Sequence, residues 1–228
     1  MYNNQNLISI RLVPNIYIIE STSVKDDNDS RSEGFLLQKT LELFEFVSSY
    51  HPVNTKEDFE KALNGIPESK LVDDFDNSIC VPVLHISAHG DENGFILKDN
   101  SRISWEMFRQ YLNPVNKRCL DSLFLVMSVC KGANAINAAR CWKNALPFLC
   151  VLGSKNDIEW KDALMASLLF YYHFDDIIND SNKVIDTINN SLHLQGDISL
   201  LFADTVQKQY KEEMIMKLAK ILHNNKRI

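Results

Sequence analysis

No apolar stretch in this sequence approaches the roughly 20 residues that a membrane-crossing helix needs. The opening segment MYNNQNLISIRLVPN also lacks the basic start and long apolar core of a secretion signal. The expectation is a soluble, cytoplasmic chain with no membrane partner. Basic residues are outnumbered, with 24 Lys and Arg against 30 Asp and Glu and a formal charge of -6. Gripping a phosphate backbone takes clustered cations, so nucleic acid is not expected as a partner. The five cysteines, Cys80, Cys119, Cys130, Cys141 and Cys150, form no CxxC pair and no Cys/His grouping at zinc-site spacing. A disulfide framework and a structural metal are therefore not indicated, and no cofactor is implied. Repeats, low-complexity tracts and linkers are missing as well, so residues 1–228 read as one domain.

What is present is hydrophobic side chain, 45% of the residues, enough for a chain of this size to bury roughly 70% of its unfolded surface. Strand-like and helix-like stretches alternate. NIYIIES (15–21) is a β-branched strand. The polar STSVKDDNDSRSEG (21–34) reads as a flexible loop before a helical pattern over 35–50. NTKEDFEKALNG predicts a short helix capped by Thr55 and ended by Gly65. ICVPVLHISA (79–88) is a nearly continuous apolar strand of the kind found in parallel sheets covered on both faces. GFILKDNSRIS (94–104) predicts a hairpin turning at Asp99-Asn100, with Ser104 capping the helix that follows. A second buried strand lies in SLFLVMSVC (122–130). Beyond it come an Ala-rich helix over 133–145, a strand PFLCVLG (147–153), a long helix over 158–174, another near 182–194, a short strand ISLLF and an amphipathic helix from Thr205 to about His223. This alternation predicts an α/β fold with a mostly parallel sheet.

Chemistry is suggested by two strand ends. VPVLHISA runs out at His89-Gly90 and SLFLVMSV at Cys130, and the hairpin, helix and loop between them make one right-handed crossover, so the two strands are expected to be parallel neighbours. Strands about 4.8 Å apart bring residues past the same edge within reach of each other, and open α/β sheets bind ligands at that carboxyl edge. A thiol with a free pKa near 8.5 needs a base to become a nucleophile. His89 can take the proton and later protonate a leaving amine. Gly90, having no Cβ, lets its backbone approach a substrate carbonyl, and its N–H with that of Cys130 can bind an oxyanion. The segment KGANA opens a helix whose dipole favours negative charge beside Cys130.

In order, LHISAHG, LFLVMSVCKGANA and LGSKNDIEWKDALMASLLFYY resemble the CHAT family of caspase-like cysteine peptidases in clan CD, over most of 81–172. The resemblance implies a caspase-like three-layer α/β/α sandwich with a mostly parallel central sheet. It makes His89 the catalytic histidine, Cys130 the nucleophile and Gly90 an oxyanion-hole contributor, with Gly153-Ser154, Asp162 and Phe170-Tyr171 matching the block after the cysteine helix. Its implied partner is a protein substrate; because a domain that cuts proteins in the cytoplasm needs restraint, a separate activating protein partner or a self-cleavage event, acting through the 21–34 loop, is expected to switch it on. Several relatives carry an acid two positions before the nucleophile to hold a basic P1 side chain, and Ser128 stands there in this chain. Asp157 can supply substrate-binding acidity instead, whereas Lys25 or Arg31 would favour an acidic P1, and both readings stay open.

Blander readings stand beside these. Taken alone, Cys130 reads better as an inert buried thiol, and it is its placement with His89 and Gly90 at two strand ends that favours chemistry. His85 and His89 form an H-x-x-x-H pair, but that spacing serves zinc on a helix and lacks the adjacent Glu, so His85 reads as a packed, hydrogen-bonded strand residue. Trp160, Phe170, Tyr171 and Tyr172 read as core. A catalytically idle interaction module and a thiol hydrolase on a non-peptide substrate remain as alternatives to the peptidase.

Overall fold

β-Branched runs and apolar periodicity become an alternation of strands and helices over residues 11–66, 78–142, 145–194 and 197–225, which this computed structural model describes. In chain order these are β1 (Arg11–Ser21), the short α1 (Val24–Asn28), α2 (Glu33–Leu43), β2 (Val47–Pro52), α3 (Lys56–Asn64), β3 (Ser78–Asp91), β4 (Gly94–Ile96), β5 (Arg102–Ser104), α4 (Trp105–Arg118) and β6 (Phe124–Ser128). A 3-10 helix (Gly132–Ala139), β7 (Cys150–Ser154), α5 (Trp160–Tyr172), a short 3-10 turn (Phe174–Asp176), α6 (Ile177–Leu192), β8 (Ile198–Phe202) and α7 (Ala203–Asn225) complete it. The main sheet runs β2-β1-β3-β6-β7-β8, parallel throughout except for the antiparallel β8. No helix among the described residues is long and apolar enough to cross a membrane.

Alternation along the central strands divides the core in two. Val81 and Val83 of β3 and Phe124 and Val126 of β6 pack with α2, α5 and α6 on one face. Leu84, Ile86 and Ala88 of β3 and Leu125 and Met127 of β6 pack with α3, α4 and the 3-10 helix on the other. The result is a three-layer α/β/α sandwich whose central strands are apolar on both sides. Thr55 and Ser104 cap their helices as expected, through Asp58 N and Met107 N.

Three local expectations change. The 21–34 stretch holds α1 and the start of α2, because Ser23 and Asp26 close a capping box over an otherwise polar sequence. The helical pattern over 35–50 ends at Leu43. Glu45 turns the chain at φ 62° and residues 47–52 join the edge of the sheet beside β1, where cross-strand hydrogen bonds outweigh a weak helical preference. The Ala-rich segment is a 3-10 helix over 132–139. It lies so close across the strands that a Cβ on Gly153 would fall 2.6 Å from the Ala133 amide nitrogen.

Candidate functional site

The neighbouring parallel strands β3 and β6 end their pairing at Ser87 and Ser128. His89 and Cys130 each stand two residues further on, at the carboxyl edge of the sheet. At His89 the β3 chain leaves the main sheet and pairs antiparallel with β4, matching His89 to Ile96, Gly90 to Phe95 and Asp91 to Gly94. This departure lifts the imidazole out of the core, and its side chain is 47% exposed. Cys130 is half-buried, and its thiol donates weakly to the Ile158 carbonyl at 3.7 Å. Lys131 then turns the chain in the left-handed region, φ 56°, and its amide donates to the Asn156 carbonyl. The β7–α5 loop is thereby fastened beside the cysteine.

The imidazole is held by an acid that sequence reasoning missed. His89 Nε2 lies 2.6 Å from Asp26 Oδ2, and the Asp26 side chain is only 5% exposed. Asp26 is the N3 residue of the α1 capping box, so the same oxygen also accepts the Ser23 amide. Burial pushes the Asp26 carboxyl up, but its bonds from Ser23 and His89 together outweigh that and hold it below the usual carboxylate value. A carboxylate only accepts, so Nε2 carries the ring proton and Nδ1 is the nitrogen with a free lone pair. The Trp160 indole stands edge-on to the ring, centroids 5.4 Å apart, and walls one side of it.

The other predicted residues fall as follows. Gly90 sits in the β3–β4 ladder, where an added Cβ would lie 2.3 Å from Val129 Cγ1 and 2.7 Å from the Gly94 carbonyl oxygen. Its missing side chain therefore serves close packing against the strand that carries Cys130. Asp157 is exposed on the β7–α5 loop, near enough to Lys131 to help raise that ammonium, after the larger effect of Glu92. Lys25 and Arg31 are both exposed on the segment joining β1 to α2. His85 is fully buried, with Nδ1 3.0 Å from the Tyr171 hydroxyl. Four strand steps separate it from His89, about 13 Å of rise, too far for one metal ion. Phe170 and Tyr171 are core residues, whereas Tyr172 is exposed. A second missed acid, Glu33, lies buried beneath the two strand ends and bonds Ser87 and Ser128.

No described protein family matches the sequence, and no curated protein matches it. Among solved structures, the chain is similar to the Arg-specific cysteine proteinase gingipain R (RgpB), at 12% identity and a TM-score of 0.44, over 80% of this chain and 44% of that one. It is also similar to the complex of Porphyromonas gingivalis RgpB pro- and mature domains, at 12% identity and a TM-score of 0.41, over 69% of this chain and 36% of that one. The chain thus spans less than half the length of these proteins.

Proposed function

We propose that this chain is a caspase-like cysteine peptidase that cuts a protein substrate through a thioester acyl-enzyme. The observation that carries the reading is the buried Asp26 carboxylate bonded to His89 Nε2 at 2.6 Å, at a strand end level with Cys130. The CHAT-like order of motifs agrees with it. In the proposed cycle the thiol leaves the Ile158 carbonyl and gives its proton to His89 Nδ1, and the thiolate attacks the scissile carbonyl carbon. The amides of Gly90 and Cys130 bind the oxyanion. The C–N bond then breaks as the imidazolium returns its proton to the leaving amine, and water, deprotonated by the same ring, hydrolyses the thioester and restores the thiol. Asp26 stays ionised throughout and holds the ring orientation. Asp157 on the adjoining loop is the proposed substrate-binding acid, and restraint is assigned to a protein partner or a self-cleavage event.

Cleavage-site profiling of a peptide library tests this directly. Wild type should cut at a recurring P1 residue, and Cys130→Ala should cut nothing while melting at the same temperature, because the change removes one half-exposed thiol and little core volume. Cleavage by Cys130→Ala would end the proposal. Selective labelling of Cys130 without any peptide cleavage would instead favour a thiol hydrolase on another substrate.

A further inference from the structure

Glu33, the first residue of α2, has a side chain only 2% exposed. Its Oε2 accepts the hydroxyls of Ser87 and Ser128, each at 2.6 Å. These serines are the last matched pair of β3 and β6, and both are buried. One oxygen therefore ties the two strands together at their final common rung, two residues before His89 and Cys130. On the other side Oε1 faces His85 Nε2 at 3.6 Å, and His85 Nδ1 is 3.0 Å from the Tyr171 hydroxyl. A consistent proton order follows, with Tyr171 donating to Nδ1, Nε2–H facing Oε1, and both serines donating to Oε2.

Stability is a poor reason for such a group. Burying a carboxylate is costly, and well-packed apolar residues commonly serve a core at least as well. Its base is also unusually fixed. The Gly34 amide donates to Glu20 Oε1 at 2.8 Å, and the Ser32 and Tyr50 hydroxyls donate to Glu20 Oε2, so the start of α2 is pinned to the end of β1. Above the serine rung Gly90 packs so closely on Val129 that an added Cβ would fall 2.3 Å from Val129 Cγ1, so spacing set at the serines is passed to the residue that precedes Cys130.

We propose that Glu33 is a positioning residue, clamping Ser87 to Ser128 and so setting the distance between the His89 imidazole and the Cys130 thiol. The inference rests on the peptidase reading and adds the element that holds its two working groups in register.

Site-resolved alkylation by iodoacetamide at about pH 6 reads the outcome, since a thiol without a nearby base is then almost wholly protonated. Wild-type Cys130 should react much faster than Cys130 in His89→Ala. Glu33→Gln should slow Cys130 about tenfold or more and lower kcat in parallel with little change in KM, as expected when reacting groups are misplaced. The rate at half-buried Cys80 should not change. Ser128→Ala should show part of the effect and, combined with Glu33→Gln, add almost nothing, because both remove one clamp; it also keeps the question open to test if Glu33→Gln folds poorly. A purely structural Glu33 would give a lower melting temperature and general labelling of Cys80, Cys119, Cys141 and Cys150, with kcat of the folded fraction kept, and that result overturns the clamp alone. Equal Cys130 rates in wild type and His89→Ala overturn the dyad and the clamp with it.

Discussion

Whether β3 can approach the Cys130 turn is decided by a single absent Cβ. At Gly90 the only direction open to a side chain runs into Val129 and the Gly94 carbonyl, and the position does not have positive φ. An alanine there keeps the amide N–H, so it separates spacing from oxyanion donation. Gly90→Ala should cost about 1–3 kcal/mol by overpacking, a fall in Tm of roughly 2–4 °C per kcal/mol at this chain length, and it should lower kcat by pushing Val129 and hence Cys130 away. Adding Val129→Ala should return part of both losses, measured as melting temperature and as kcat on the folded fraction. Full activity in Gly90→Ala despite a lower Tm would show that the close contact does not reach the thiol.

An element of five residues delivers the acid that orients His89. A helix as short as α1 cannot stand alone, and it is held by the Ser23–Asp26 capping box and by the bonds of Asp27 to Thr22 and Lys98. Because the Asp26 carboxyl is held below its unfolded value near 3.9, its contribution is present above that pH and is lost as pH falls through the lowered value. Ser23→Ala removes a bond that holds it down, so the Asp26 carboxyl should titrate at higher pH in the variant. A carboxyl NMR titration of Asp26 checks this, and an unmoved midpoint in the variant would be against it. The start of α1 carries the Ser-x-x-Asp pattern of a capping box, Ser23 to Asp26, inside a run of Asp, Asn and Ser whose composition reads as loop. β3 and β6 were legible because both their faces are buried and their apolar runs stop at the edge that carries His89 and Cys130. Asp26 and Glu33 were not, since their partners lie 63 residues away at His89 and 54 and 95 residues away at Ser87 and Ser128. Local pattern reports which face is apolar, but not which distant group a buried acid will meet.

Across the whole molecule, the crossover from β1 to α2 carries one acid on each side of an exposed turn, Asp26 before it and Glu33 after it. A cut at Arg31 would therefore leave Asp26 on the amino-terminal fragment and Glu33 on the other. β1 lies inside the sheet, paired to β2 through Asn15–Glu20 and to β3 along its full length from Arg11 to Ser21. The amino-terminal fragment should stay bound through those two ladders and their buried side chains, with α1 still capped and still facing His89. Limited digestion with an arginine-specific protease, with Arg31→Lys as the uncut control, should give a nicked protein that co-elutes on gel filtration and keeps the proposed peptidase activity close to that of the intact chain. A large gain in activity on nicking would make the cut itself the switch, and a loss would show that α1 depends on the covalent link. The architecture favours neither, because severing the turn breaks no contact to the site. Displacing α1 does: it takes Asp26 from His89 and unpairs Asp27 from Lys98 in one movement. A protein partner that controls this chain through the crossover would therefore act by binding α1 rather than by cutting beside it.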